Sequence, residues 1–298
     1  MTNASQCLRW LLVSAMAFSL VDCVQTRHLA PRLERSVVQT RTLNPYVLNA
    51  VHALAEKYSS MGYANQAFTH DLTFGTQGVL VASKKPLTMC VAAQLEVLVE
   101  ALDLEAQVTQ DYRAFAYLPK RSWQSLRPTD LRGQVWIVEA AASTGMGDAL
   151  SNLGMGGKRS FEELLPGDFI NFNRNNGTGH GAVFLGYIDT NGAEVAEFGP
   201  AVAGFKYFSA QGKADAGGLG YRDAFFVPEC PAATLNRQKR DCGVIRSTSR
   251  RLLAGGTAWL PSVWDAAAKD AFLQSHQLRT EQEGSLDFDR FNGVTTDD

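Results

Sequence analysis

The feature that most constrains the fold is an apolar helical pattern in residues 86–107, PLTMCVAAQLEVLVEALDLEAQ. Leucine, valine and alanine occupy nearly every face of the predicted helix from Val91 to Leu104, and a helix that is apolar all round is buried. Thr88 is the predicted N-cap, because its hydroxyl can accept a hydrogen bond from the first turn. The rest of the chain must therefore supply the structure that surrounds this helix.

Another helix precedes this segment, and strands follow it. Residues 45–62 predict a helix with Pro45 in its first turn and Gly62 at its end. After residue 167, short apolar runs separated by turn residues predict antiparallel strands, at about 168–173, 181–188, 193–198, 204–213 and 220–227. Helices followed by an antiparallel β-sheet are typical of the α+β class.

The region between helices and sheet carries weaker patterns. Residues 130–138 predict a strand, and the glycine-rich stretch 143–159 predicts a flexible loop. A phosphate-binding loop is excluded there, because Asn152 and Arg159 occupy the positions where that motif needs a glycine and a hydroxyl residue. Ser160 and Glu163 predict a capping box on a short helix.

Composition indicates a folded protein and excludes one class of partner. Of the 298 residues, 45% are hydrophobic and 19% are charged, which is ordinary for a globular chain. The formal net charge of -2 lacks the basic excess that a nucleic-acid-binding surface requires. We therefore expect no nucleic-acid partner.

The amino terminus predicts export. Arg9 precedes an apolar run that is too short to span a bilayer, so residues 1–23 read as a signal segment and no stable membrane span is expected. Cys23 follows this run and is an alternative site for a lipid anchor, and a first helix of the folded domain is another interpretation. Residues 24–44 are polar and basic and predict a linker before a domain at 45–230.

The five cysteines divide by context. Cys7 lies in the signal segment, and Cys230 and Cys242 flank a polar loop, where they predict a disulfide in an oxidising compartment. No further cysteine pair or histidine completes a zinc site around them, so no metal or cofactor is predicted. Residues 231–298 are expected to form a helical C-terminal extension with a partly disordered end. Cys90 is the cysteine that remains without an assigned role.

Cys90 stands near the start of the buried helix. Free amide groups and the helix dipole favour a thiolate at such a position, which is one requirement for a nucleophile. Cysteine is also a common buried apolar residue, so position alone leaves both interpretations open. The catalytic one needs a base.

His180 is the candidate base. It stands at the start of an apolar strand, with a glycine on each side, in GTGHGAVFLGYID. At this position it is either structural or catalytic. Together, TMCVAAQLEVL, LLPGDFINF and GHGAVFLGYI resemble the NlpC/P60 cysteine peptidases of bacterial cell walls, over about residues 60–228. The resemblance implies a papain-like core with Cys90 as nucleophile and His180 as general base and acid, although TMCVA replaces the family's usual DCSG.

A third group should orient the imidazole. Gln211 in YFSAQGK is the preferred candidate, with its amide oxygen accepting the ring proton, and Glu197 and Ser209 are the alternatives. The backbone amide of Cys90 and the side chain of Gln94 are candidate oxyanion donors.

These residues predict an exported thiol hydrolase of the periplasm or cell envelope. The resemblance implies amide or peptide bonds of peptidoglycan as the substrate. An acyltransferase on the same fold and a non-catalytic envelope binding protein are the competing hypotheses. The sequence leaves the oligomeric state open.

Overall fold

The computed structural model of the chain describes residues 41–65, 67–136, 143–212, 217–230 and 240–283. The predicted signal segment, including Cys7 and Cys23, and most of the predicted linker lie outside the described residues. The folded region begins slightly before the predicted boundary at residue 45. Leu43 is fully buried, and its N–H donates to the carbonyl of Ala258.

The described helices follow the predicted pattern at both long apolar segments. Pro45 lies in the first turn of the first helix, which ends at Tyr58, four residues before the predicted end at Gly62. The buried helix begins at Cys90, which places the cysteine at its first helical position. In chain order the α-helices are α1 Asn44–Tyr58, α2 Cys90–Thr109, α3 Arg113–Tyr117, α4 Leu131–Val135, α5 Met146–Asn152 and α6 Ala266–Glu283.

The strands form a small two-stranded sheet and a large mixed one. The strands are β1 Leu72–Thr73, β2 Val79–Leu80, β3 Gly156–Arg159, β4 Phe169–Asn173, β5 Gly179–Ile188, β6 Glu194–Val195, β7 Gly204–Gln211, β8 Gly218–Phe225, β9 Arg240–Asp241 and β10 Leu253–Ala258. Strands β1 and β2 pair with each other, and the large sheet has the order β3-β10-β4-β5-β7-β8-β9, with β6 paired to β5. The pairs of the large sheet are antiparallel except β8 with β9. The α+β class is thus confirmed.

Apolar side chains cover both faces of the large sheet. One face carries Val183, Phe208 and Ala210, which join α1 and α2 in the larger core cluster. The opposite face carries aromatic side chains in a second cluster that includes Phe172 and Tyr207. Since successive strand residues point to opposite faces, β4, β5, β7 and β8 are buried on both sides. The predicted strand at 193–198 is reduced to the short β6, whose residues are not buried.

Two predictions in the middle of the chain are wrong. The described part of 130–138 is helical, because the Ser122 hydroxyl accepts the N–H of Leu131 and starts a turn there. The predicted loop 143–159 contains α5 and β3. Its glycines serve close packing: a Cβ added to Gly147 would lie 2.4 Å from the carbonyl oxygen of Gly255.

The predicted C-terminal extension is part of the sheet. Strand β10 lies between β3 and β4, and β9 pairs with β8. The predicted helix in this region is present as α6, whereas residues 284–298 lie outside the description. A domain boundary at residue 230 therefore does not describe how the chain folds.

Two smaller predictions are confirmed. Cys230 and Cys242 form a disulfide, and Ser160 and Glu163 form the capping box of a short 3₁₀ helix. Among the described residues, no helix combines the length and apolar character needed to cross a membrane.

Replacing Gly256 with alanine tests the packing of β10 against α5. The added Cβ would lie 2.2 Å from the Cα of Gly147, so α5 or β10 must move. We expect the free energy of unfolding to fall by about 1–3 kcal/mol in urea denaturation. Gly199→Ala is the control, since a Cβ there meets no atom within 4 Å, and its effect should stay within about 0.5 kcal/mol. Equal stability of the two variants would contradict the packing of β10.

Candidate active site

Cys90 occupies the first position of α2 and is 2% exposed. Met89 is the N-cap residue and makes no side-chain capping hydrogen bond, and no acidic side chain lies in the first turn. The predicted cap by Thr88 is wrong, because Met89 is the N-cap and the Thr88 hydroxyl donates to the buried Glu96 carboxyl. The helix dipole therefore acts on Cys90 without an opposing charge in the first turn.

His180 is the second residue of β5 and pairs with Phe172 of β4. It is 2% exposed. Its ring lies edge-on to the rings of Phe172 and Tyr207, with centroid distances of 5.3 and 5.6 Å. These contacts fix the orientation of the imidazole on the aromatic face of the sheet.

Gln211 is the last residue of β7 and contacts His180 directly. The two Nε2 atoms are 3.1 Å apart, and Gln211 Nε2 also donates to the hydroxyl of Tyr207 over 2.7 Å. The amide nitrogen, rather than the predicted oxygen, thus faces the imidazole. The Tyr207 hydroxyl accepts one hydrogen of that nitrogen, which explains the orientation, and His180 Nε2 and the Asp241 carboxylate share the other at 3.1 and 3.3 Å. Since an amide nitrogen only donates, His180 Nε2 accepts, and a neutral ring then carries its proton on Nδ1.

The start of α2 lies at the same end of the sheet as His180 and Gln211. Strand β5 begins, β7 ends and β8 begins at this end, because these strands are antiparallel. The backbone of Gly62 donates to the carbonyl of Gly217, just before β8, and the N–H of Ala64 donates to the carbonyl of Thr88. Residues 62–64 thus connect the start of β8 to a position two residues before Cys90.

Gln94 fastens the first turns of α2 to the sheet. Its Nε2 donates to the carbonyls of Ile170 and Ala182 over 3.2 and 3.0 Å. Gly181 permits this approach, since a Cβ there would lie 2.6 Å from Gln94 Oε1. Both amide hydrogens are occupied, so Gln94 has a structural role and does not fit the predicted role of oxyanion donor.

Cys90 and His180 border different core clusters. Cys90 belongs to the cluster of α1 and α2, and the ring of His180 packs on two members of the cluster across the sheet. A thiol–imidazole contact between them would therefore form around the end of the sheet and not within one face.

The two alternatives for the third group have different positions. Ser209 is buried and donates to the carbonyl of Gly181 over 2.6 Å, which ties β7 to the start of β5. Glu197 follows β6, which pairs with β5 at Tyr187 and Ile188. That end of β5 is about 25 Å from His180 at ~3.3 Å per strand residue, so the structure does not bring Glu197 to the imidazole.

Asp241, Tyr207 and Arg174 complete a buried polar network that sequence reasoning missed. Asp241 Oδ2 accepts from Arg174 Nη2 over 2.8 Å, from the Tyr207 hydroxyl and from Gln211 Nε2 over 3.3 Å. Burial alone would raise the pKa of Asp241, but Arg174, His180 and Tyr207 hold it below its ordinary value. Burial and the nearby Asp241 charge raise the pKa of Tyr207 well above its ordinary value. The available signal was the position of Asp241 beside the predicted disulfide cysteine Cys242.

Glu96 anchors the chain on the approach to Cys90. Its buried carboxyl accepts from the backbone and hydroxyl of Thr69 and from the hydroxyl of Thr88. Burial raises the pKa of Glu96 to about 7, although these hydrogen bonds oppose the shift.

Among the described residues, no group of three or more histidine, cysteine or acidic side chains is arranged to hold a metal ion.

Glu96 makes stability depend on pH. Because its pKa is raised from 4.5 to about 7 in the folded state, the unfolded chain releases this proton at lower pH, and the contribution to stability falls between about pH 4.5 and 7. Glu96→Gln removes the titration, so its stability relative to wild type should increase from pH 5 to pH 8 in urea denaturation. The exposed Glu56 provides the control Glu56→Gln, whose difference from wild type should not change. A pH-independent difference for Glu96→Gln would contradict the raised pKa.

Comparisons with known proteins identify no relative. No protein-family model, no curated protein and no solved structure matches this chain. The resemblance to the NlpC/P60 peptidases therefore depends on the motifs around Cys90 and His180. Any function must be argued from the geometry of this site.

Proposed function

We propose that the protein is a thiol hydrolase that cleaves an amide or peptide bond. Cys90 is the nucleophile, His180 is the general base and acid, and Gln211 orients the imidazole. The observation that carries the proposal is the 3.1 Å contact between His180 and Gln211, at the end of the sheet to which residues 62–64 attach the start of α2.

The reaction follows from these roles. His180 takes the thiol proton, and the Cys90 sulfur attacks the carbonyl carbon of the substrate. The backbone N–H groups in the first turn of α2 are suited to stabilise the resulting oxyanion. His180 then gives its proton to the leaving amine as the C–N bond breaks. A water molecule, deprotonated by His180, releases the acyl group and restores the thiol.

The orientation of Gln211 bears on this cycle. An imidazolium carries protons on both nitrogens, so its Nε2–H needs an acceptor. Rotation of the Gln211 amide about its last side-chain bond presents the oxygen to Nε2. In the nitrogen-facing orientation, the neutral ring carries its proton on Nδ1 and its lone pair on Nε2 is bonded to Gln211, so neither nitrogen can take the thiol proton. In the oxygen-facing orientation, Gln211 accepts from Nε2–H and Nδ1 is free of a proton, so this is the orientation in which His180 acts as the base.

The substrate and location are the more specific parts of the proposal. The resemblance to cell-wall peptidases points to peptide or amide bonds of peptidoglycan. The disulfide between Cys230 and Cys242 is compatible with an exported protein, and we place the enzyme in the periplasm or cell envelope. Transfer of the acyl group to an amine or alcohol would use the same first half-reaction, and analysis of the products separates the two.

Burial of Cys90 favours a second candidate. A thiol that is 2% exposed within an apolar cluster resembles an inert core cysteine. In that case the protein is a non-catalytic binding protein of the envelope, and His180 and Gln211 stabilise the end of the sheet. The reactivity of the thiol discriminates between the two candidates.

Alkylation of Cys90 by iodoacetamide against pH tests the proposed pair. In the protein with its disulfide intact, we expect fast labelling with an apparent pKa well below the ordinary value of about 8.5. His180→Ala should raise that apparent pKa and slow labelling at pH 6–7, because the partner of the thiolate is lost. Mass spectrometry of the Cys90 peptide measures the rate.

His52→Ala is the matched control, because His52 is an exposed residue of α1; its labelling should equal that of wild type. Release of peptides from peptidoglycan fragments by wild type, and its loss in Cys90→Ala, would extend the result to activity. Slow labelling that His180→Ala leaves unchanged would favour the binding protein.

A further inference from the structure

We propose that Asp241 is a positioning residue of this site, whose negative charge stabilises the protonated form of His180. It acts through Gln211 and Tyr207, the two polar side chains placed against the imidazole. The inference rests on the proposed function for its catalytic meaning, although the coupling of Asp241 to His180 can be tested independently.

The hydrogen bonds around Asp241 converge on the neighbours of His180. A carboxylate that served only to neutralise Arg174 would need only the 2.8 Å bond from Arg174 Nη2. The same Oδ2 atom also accepts from Tyr207 and Gln211. The ring of Tyr207 packs on that of His180, and Gln211 contacts its Nε2. Asp241 therefore accepts hydrogen bonds from both side chains that orient the imidazole.

The charges around this network come from several elements. Arg174 follows β4, Arg222 lies on β8 and acts on Tyr207, and Asp241 lies on β9. Asp241 is the acidic side chain that bonds to the orienting groups, and Gln211 is neutral. A carboxylate stabilises a positive imidazole through its full negative charge, in addition to any hydrogen bond that the Gln211 amide oxygen accepts.

The interaction between Asp241 and His180 is reciprocal. The charge of His180 is one of the causes that hold the pKa of Asp241 below its ordinary value. The same electrostatic energy, taken from the other partner, favours the protonated form of His180. Because both side chains are buried, salt screens their interaction only weakly.

The chain holds Asp241 in place from both sides. Strand β9 pairs with β8 at Asp223 and Ala224, and the next residue, Cys242, is bonded to Cys230. Beyond it, the N–H groups of Gly243 and Val244 donate to the carbonyls of Val227 and Phe225. A short strand at the edge of the sheet would otherwise be free to fray, so the disulfide has a position suited to preserving the network.

Titration of His180 by NMR in Asp241→Asn tests the inference. We expect the midpoint of the imidazole titration to move to lower pH than in wild type, because the stabilising negative charge is removed. Asp223→Asn is the matched control. Asp223 lies on the neighbouring strand and pairs in register with Arg240, and its charge change should leave the His180 titration in place. An unchanged His180 titration in Asp241→Asn would overturn the inference.

If Asp241→Asn does not fold, a second measurement, on the wild-type protein, tests the same inference. The carboxyl carbon resonance of Asp241 should show an inflection at the pH where His180 titrates, and the absence of that inflection would overturn the inference. Neither of these two NMR measurements depends on the reactivity of Cys90. Failure of the proposed function would instead appear as labelling of Cys90 that does not depend on His180.

Discussion

The attachment of α2 to the large sheet through Gln94 is the contact on which the candidate site depends. One buried amide nitrogen donates to the carbonyls of Ile170 and Ala182, in two adjacent strands. Gly181 leaves room for this approach. Because Cys90 lies one helical turn before Gln94 and His180 lies two residues before Ala182, a shift of this contact would move both candidate catalytic residues relative to each other.

The part of the site within the sheet follows from local sequence. The alternating apolar runs predicted β5 and β7, and the antiparallel pairing of these strands places His180 opposite Gln211. Helical periodicity predicted α2 and the position of Cys90 near its start. These features depend on neighbouring residues and regular geometry, so one sequence was enough to predict them.

The remaining features depend on contacts between distant parts of the chain. Asp241 reaches the site only because β9 pairs with β8, and its separation from Arg174 by 67 residues gave no local signal. The glycines in 143–159 indicated a flexible loop, but Gly147 packs against β10. Residues 130–135 contain apolar residues that suit a strand, and the Ser122 hydroxyl, contributed by a preceding turn, starts a helix there. Gln94 and Thr88 likewise serve buried contacts that helix-start rules do not describe.

The central claim is that the Cys90 thiolate and the His180 imidazole form a pair at the end of the sheet. The most direct measurement is the NMR titration of His180 in wild type and in Cys90→Ser, which replaces a thiol that can ionise with a neutral hydroxyl of similar shape. If the pair exists, the pKa of His180 falls in Cys90→Ser, because a thiolate no longer stabilises the imidazolium. An identical titration in the two proteins would contradict the pair and leave Cys90 as a residue of the core.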